Sequence, residues 1–219
     1  MNKNYLTYPM SVMNITQTYN GNTSHKPHTT GNIKDFPVDD GGRDTGRDYI
    51  LCPCDKMKVV RIYGVGNGGT NTVWLTSTEK VLFADGTSDY VTIMFIHPGD
   101  DDLKKLREGQ SFVRNEKMFR EGKDGATANH IHIAVGKGKI KGNGWAQNSN
   151  KKWVLTTTGG AVMPEKAFFI DEKNTTVKKD GGLSFLRLEK EEKSVPALFA
   201  PGDRVTVKKN SKAYDSDRE

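Results

Sequence analysis

From residue 58 onward the apolar positions of this chain come in short runs separated by glycine, asparagine and aspartate, the pattern of strands joined by turns. "KVVRIYG" (58–64) passes through a glycine-rich turn into "TVWLTST" (72–78), which predicts a hairpin. "EKVLFADGTSDYVTIMFIH" (79–97) offers two further β-rich runs split by "DGTSD", a second hairpin signal. In "HIHIAV" (130–135) the alternation is strict: Ile131, Ile133 and Val135 share an apolar face, while His130 and His132 share the other with Ala134. "KGKIKGNGW" reads as a basic, glycine-rich loop, and "KKWVLTTTGG" and "KAFFID" close the compact region. Helical spacing is scarce. Leu103 and Leu106 in "PGDDDLKKLREGQSF" support a short helix or turn at most. The predicted fold is mainly β, an antiparallel sheet core with long loops and few short helices.

The stretch before about residue 48 is polar and carries no such runs, so it reads as irregular. At the other end the texture changes near residue 181, where "LRLEKEEKSVPALFAPGDRVTVKK" mixes a charged connector with one isolated strand pattern. Residues 1–180 are therefore expected to form one domain, and 181–219 a linker and the start of a C-terminal module. A chain of 219 residues is long enough to bury a real core. No apolar run approaches the roughly 20 residues of a spanning helix, and the N-terminal stretch has no continuous apolar signal core, so neither membrane insertion nor export by its own signal is expected.

Charge adds one constraint. A net charge of +6 favours an anionic partner, whether nucleic acid, a membrane surface or a wall carrying teichoic acid. Nucleic acid fits poorly, because lysines and arginines are interleaved with acids and no base-stacking motif is evident. Cys52 and Cys54 are too close in sequence for a relaxed disulfide and lack partners for a four-sulfur site, so they read as buried, reduced thiols.

Two glycine motifs carry no nucleotide chemistry. "GVGNGG" matches G-x-G-x-x-G through Gly64, Gly66 and Gly69 but runs into a strand, with no helix N-terminus to hold a pyrophosphate. "GKGKIKGNG" lacks the G-K-[ST] ending of a phosphate-binding loop.

The histidines carry more. There are five, at positions 25, 28, 97, 130 and 132, and "SHKPHTTGNIKDFPVDD" sets two of them beside Asp35, Asp39 and Asp40. A hydrolytic zinc site takes three protein ligands, commonly two imidazoles and a carboxylate, and leaves one position open for water. His28, Asp35 and His132 meet that specification, with His25 competing for the first position and Asp39 for the second. His97 ends a strand just before a Pro-Gly turn, a rigid mount for a proton carrier or an oxyanion donor.

Taken in order, these segments resemble the lysostaphin-type zinc endopeptidases of peptidoglycan, in the variant carried by phage lysins and tail proteins. "MNITQTYNGNTSHKPH" looks like the family's opening before its first zinc histidine, "VTIMFIHPGDDDLKKLREGQSF" like its strand-end histidine and following turn, and "GKDGATANHIHIAV" like its closing H-x-H. The resemblance implies a β-sheet core whose groove holds zinc, with His132 a ligand and His130 and His97 the catalytic imidazoles. The usual H-x-x-x-D spacing of the first two ligands is missing; His28 to Asp35 is longer. The related D-Ala-D-Ala carboxypeptidase and L-Ala-D-Glu endopeptidase group places a glutamate shortly before the last zinc histidine, and "KDGATANHI" has none. The implied activity is zinc-dependent hydrolysis of a stem or cross-bridge peptide bond in bacterial peptidoglycan, by an endolysin or virion component made in the host cytoplasm. The competing expectation is a catalytically inactive wall-binding or tail-structural module of the same fold.

Overall fold

The computed structural model describes residues 3–22, 24–41, 46–64 and 70–188. The chain runs β1 (Val12–Gln17), α1 (Lys26–Thr29), β2 (Val38–Gly41), β3 (Tyr49–Leu51), β4 (Lys56–Tyr63), β5 (Thr72–Ser77), β6 (Val81–Leu82), β7 (Ser88–Asp89) and β8 (Val91–Ile96). It continues through α2 (Asp100–Leu103), β9 (Ser111–Val113), β10 (Lys117–Arg120), β11 (His130–Lys137), β12 (Ile140–Gln147), β13 (Trp153–Thr157) and β14 (Ala161–Val162). Last come α3 (Pro164–Ala167), β15 (Phe169–Ile170), β16 (Thr176–Lys179) and β17 (Leu186–Arg187). The fold is mainly β, with one large, mostly antiparallel sheet and three short helices among the described residues.

That sheet is ordered β16-β1-β2-β11-β8-β5-β4-β9, with β14 also paired to β11. All its pairings are antiparallel except β1 with β16. The period-2 pattern decides which side chain faces where. Ile131, Ile133 and Val135 of β11, Ile93 and Phe95 of β8, and Val73 and Leu75 of β5 point into the main core. Ala134, Met94 and Trp74, the alternate residues of the same strands, pack with Leu155 on the opposite face. Both faces are therefore covered over the centre of the sheet, which is why its central strands read as nearly continuous apolar runs.

The glycine-turn hairpin forms as expected, with Tyr63 opposite Thr72, although residues 65–69 of its turn lie outside the described residues. Three expectations are corrected. The N-terminal stretch is not irregular: Leu6, Tyr8, Met10, Met13 and Ile15 are buried, and β1 and β2 extend the large sheet. They are interleaved with polar residues, among them Thr7 and Thr16, whose hydroxyls donate to the Pro53 and Asp39 carbonyls, and this interleaving hid the pattern. The two runs about "DGTSD" do not pair with each other; β6 pairs with β7, and β8 lies between β5 and β11. The basic glycine-rich "loop" is strand β12, paired with β13. Gly144 at φ 79° lets that hairpin approach the sheet closely enough for the Trp74 indole N–H to donate to the Gly144 carbonyl at 3.1 Å.

Cys52 and Cys54 are free and fully buried. Leu183 and Phe185 pack against the main core, so the first compact unit runs through Leu188. The strand pattern expected at 203–209 lies outside the described residues. Among the described residues no helix is long and apolar enough to cross a membrane.

Two acids on the core side of the sheet set a pH dependence. Asp40 accepts from the Tyr8 hydroxyl at 2.8 Å and the Asn14 N–H at 2.9 Å, while neither carboxylate oxygen of buried Glu121 has a hydrogen-bond partner among the described residues. Burial, reinforced by the neighbouring Asp40 charge, pushes Glu121 from 4.5 up to about 8, and burial raises Asp40 to about 7. A carboxyl raised in the folded state holds a proton that the unfolded chain releases. Its stabilising contribution is full below the unfolded value and is lost as pH rises through the folded one, at up to about 1.4 kcal/mol per pH unit. Glu121→Gln is therefore expected to raise the unfolding midpoint at about pH 8 and to leave it nearly unchanged at about pH 4. Melting curves across that range check this, and a variant destabilised equally at both ends would contradict it.

Candidate metal centre and groove

The register of three strands lays the floor of the site. His132 of β11 stands directly opposite Asp39 of β2 on one side and Ile96 of β8 on the other, and Ile96 in turn faces Thr72 of β5. Directly opposed residues project from the same face, so these four side chains form one transverse row. Asp40, next along β2, is turned into the core instead. Over the row lies a groove of about 580 Å³, and all five histidines of the chain line it.

One turn of helix brings in the remaining imidazoles. His25 precedes α1 and His28 lies within it; Pro27 stands between them at a position where its missing N–H costs no helical bond. The three-residue spacing in helical conformation puts both rings on one side, with centroids 6.0 Å apart. Only His25 reaches the carboxylate opposite His132. Its Nε2 lies 3.1 Å from Asp39 Oδ1, and His132 Nδ1 lies 3.0 Å from the same oxygen. His25, Asp39 and His132 each offer a ligand atom, all within 4.8 Å of one another.

Hydrogen bonds behind these atoms fix what they present. The Thr18 carbonyl can only accept, so the contact from His25 Nδ1 at 3.0 Å places a proton there and leaves Nε2 of the neutral ring as a bare electron pair. That pair is aimed at a carboxylate oxygen. Two electron-rich atoms so aimed need a proton or a cation between them, and His132 Nδ1 points at the same place. The other oxygen of Asp39 accepts from the Gln17 side chain at 2.9 Å. Burial acts to raise Asp39, yet when the His132 and His25 rings carry a proton at this point their hydrogen bonds and charges hold its carboxyl far below the usual range. Burial pushes His132 down, against the opposing pull of Asp39. The donor set is complete for a divalent cation: two imidazole nitrogens, one anionic oxygen, and backing hydrogen bonds that orient a ligand.

The structure departs here from the sequence-derived set His28, Asp35 and His132. His132 belongs to the converging group, but His28 and Asp35 are engaged with each other, His28 Nδ1 to Asp35 Oδ1 at 2.8 Å. Asp35 is fully buried, and its second oxygen accepts the Leu155 N–H at 2.8 Å, so it ties α1 to β13 rather than facing the groove. The physical reason is reach: Asp39 is fixed by strand pairing opposite His132, and Asp35 lies before that strand begins.

His97 and His130 stand together at the other side of the groove, ring centroids 4.5 Å apart. His97 Nδ1 donates to the Asp124 carbonyl at 2.5 Å and His130 Nδ1 to the Ala128 carbonyl at 3.0 Å, so each neutral ring presents Nε2 as its basic atom. Burial lowers His97 to about 4. Its backbone is held at φ 76°, a left-handed conformation rare for a residue with a Cβ, by its N–H bonded to the Asn71 carbonyl at 2.8 Å. Such strain gathers at working sites. His97→Gly is accordingly expected to unfold at a higher temperature than His97→Ala, by about 1 kcal/mol of relieved strain; equal melting points would argue against it.

Sequence reasoning did not foresee the aromatic wall. Tyr63, Trp145 and Trp153 line the groove, with Trp145 set edge-on to both Tyr63 and Trp74. The tryptophans belong to the β12–β13 hairpin, half of which read as loop.

No family model matches the chain. It is 34% identical over 141 residues to morphogenesis protein 1 of Bacillus phage B103, a match that takes in 64% of this chain. The chain thus resembles a phage protein and spans 34% of that relative's length.

Proposed function

We propose that this chain is a zinc-dependent peptidoglycan hydrolase that cleaves a stem or cross-bridge peptide bond of the bacterial wall. The observation that carries the reading is the convergence of His25 Nε2, Asp39 Oδ1 and His132 Nδ1 on one point in a groove that a second imidazole pair also borders. Two nitrogens and a carboxylate oxygen suit zinc, a cation of borderline softness. Bound there, zinc would supply Lewis acidity: it lowers the pKa of a water molecule and polarises a carbonyl.

The chain's own residues do the rest. His25, Asp39 and His132 hold the cation, and the Thr18 and Gln17 bonds keep two of them oriented. His130, with its Nδ1 proton fixed on Ala128, takes a proton at Nε2 as general base. His97 presents Nε2 beside it as a second basic atom, placed to accept a proton from the reacting groups and return it to the departing amine. The net charge of +6 favours approach to a wall bearing anionic polymers. Likeness to a phage morphogenesis protein agrees with a virion component that acts on the wall.

The test is mass spectrometry of fragments released from purified walls by zinc-loaded and chelated protein. New peptide amino termini that appear only with zinc are expected. Intact walls after incubation with fully zinc-loaded protein would leave the inactive-module alternative.

A further inference from the structure

We infer that the aromatic wall of the groove is a carbohydrate subsite that stacks one N-acetylhexosamine ring on Trp153. This rests on the peptidoglycan reading for its biological source but on separate residues for its chemistry. Among the described residues Trp153 is one of few large apolar side chains left open, at 50% exposure, and of those it is the one that lines the groove. Its indole leans on Trp145 at 5.1 Å with the planes 36° apart. Trp145 is in turn locked edge-on by Tyr63 at 5.1 Å and by fully buried Trp74 at 4.8 Å. The outer ring is thus a flat surface braced from behind, and little side-chain freedom is lost when a ligand covers it.

Charge decides which flat ligand fits. An aromatic cluster attracts cations, but the Arg61 guanidinium already lies 5.3 Å from the Trp74 ring and 5.7 Å from the Trp145 ring, and Lys152 adds a second positive group to the lining. A cationic side chain of a stem peptide would meet repulsion there. A neutral sugar would not: its C–H face carries the slight positive charge that an indole face attracts, and its hydroxyl and acetamido groups stay at the wet, polar rim. The groove's volume of about 580 Å³ falls within the range that accommodates a ligand of that size.

Titration calorimetry of the zinc-loaded chain with the N-acetylglucosamine tetramer tests this, alongside a free stem pentapeptide. The sugar is expected to bind, Trp153→Ala to weaken it by about 10-fold, and Trp153→Phe to retain part of the affinity. Because Trp153 is half open, the variants should keep the parental melting point, and that measurement guards against misfolding. No sugar binding, equal binding by Trp153→Ala, or a Trp153 effect confined to the pentapeptide would each overturn the proposal. Wall cleavage measured in parallel separates the two readings: sugar binding without cleavage would sink the hydrolase and leave the subsite standing.

Discussion

Replacing His25 with alanine is expected to weaken zinc binding by more than the about 10–100-fold that loss of a supporting group costs, because it removes one of three ligand atoms. His28→Ala is expected to fall at or below that range. The contrast follows from two hydrogen-bond chains. His25 spends Nδ1 on Thr18 and leaves Nε2 aimed at Asp39 Oδ1 and the nearby His132 Nδ1. His28 spends Nδ1 on Asp35, a fully buried residue, and its ring centroid stands 5.6 Å from that of His132. Asp39→Ala should behave like His25→Ala. Asp35→Ala should instead lower the melting temperature, since it frees both His28 and the Leu155 N–H inside the protein. Competition against a chelator of known affinity reads the zinc term, and thermal unfolding reads the structural one. A His28→Ala protein that loses zinc while His25→Ala keeps it would return the site to the set suggested by sequence spacing.

The converging group differs from the one that spacing suggests for an identifiable reason. The face shared by His130 and His132 was legible, because alternation in a strand is a local property and "HIHIAV" states it openly. The β4–β5 hairpin and the strand-end place of His97 were legible for the same cause. The partner of His132 was not. Asp39 reaches it through the pairing of β2 with β11, a contact across 93 positions of sequence, and "VDDG" carries no strand signal of its own. Its two aspartates face opposite sides of the sheet, one toward the groove and one toward Tyr8, so a pattern of hydrophobic alternation had nothing to register. The same holds for Trp145 and Trp153. "KGKIKGNGW" has the composition of a turn, and it becomes a strand because β13 pairs with it and Trp74 beneath receives it. Where tertiary pairing rather than local pattern made the structure, the residues gave no notice.

Loss of His130 is expected to lower wall cleavage by about 10²- to 10⁴-fold, the usual worth of a positioned general base, while zinc content stays at the parental level. The separation is built into the geometry. His130 shares a face with His132, but its Nδ1 proton is committed to the Ala128 carbonyl and its ring is packed against His97 rather than Asp39. It can be removed without taking a ligand atom from His25, Asp39 or His132. His97 complements it unequally. Held near 4 by burial, its ring is neutral at neutral pH, and a cation in the site would press it further the same way. In the proposed hydrolysis it would therefore enter as a neutral imidazole, and a proton it donated late would first have been accepted from the reacting groups. Activity of the parental chain should then show no acid limb from His97 above about pH 5, and His97→Ala should cut the rate at all higher pH values alike. Lysis of purified walls across pH, with zinc measured in the same samples, reads both effects. A His130→Ala protein that keeps zinc and cleaves walls at the parental rate would remove the base from the mechanism, and with it the reason for an H-x-H strand beneath this groove.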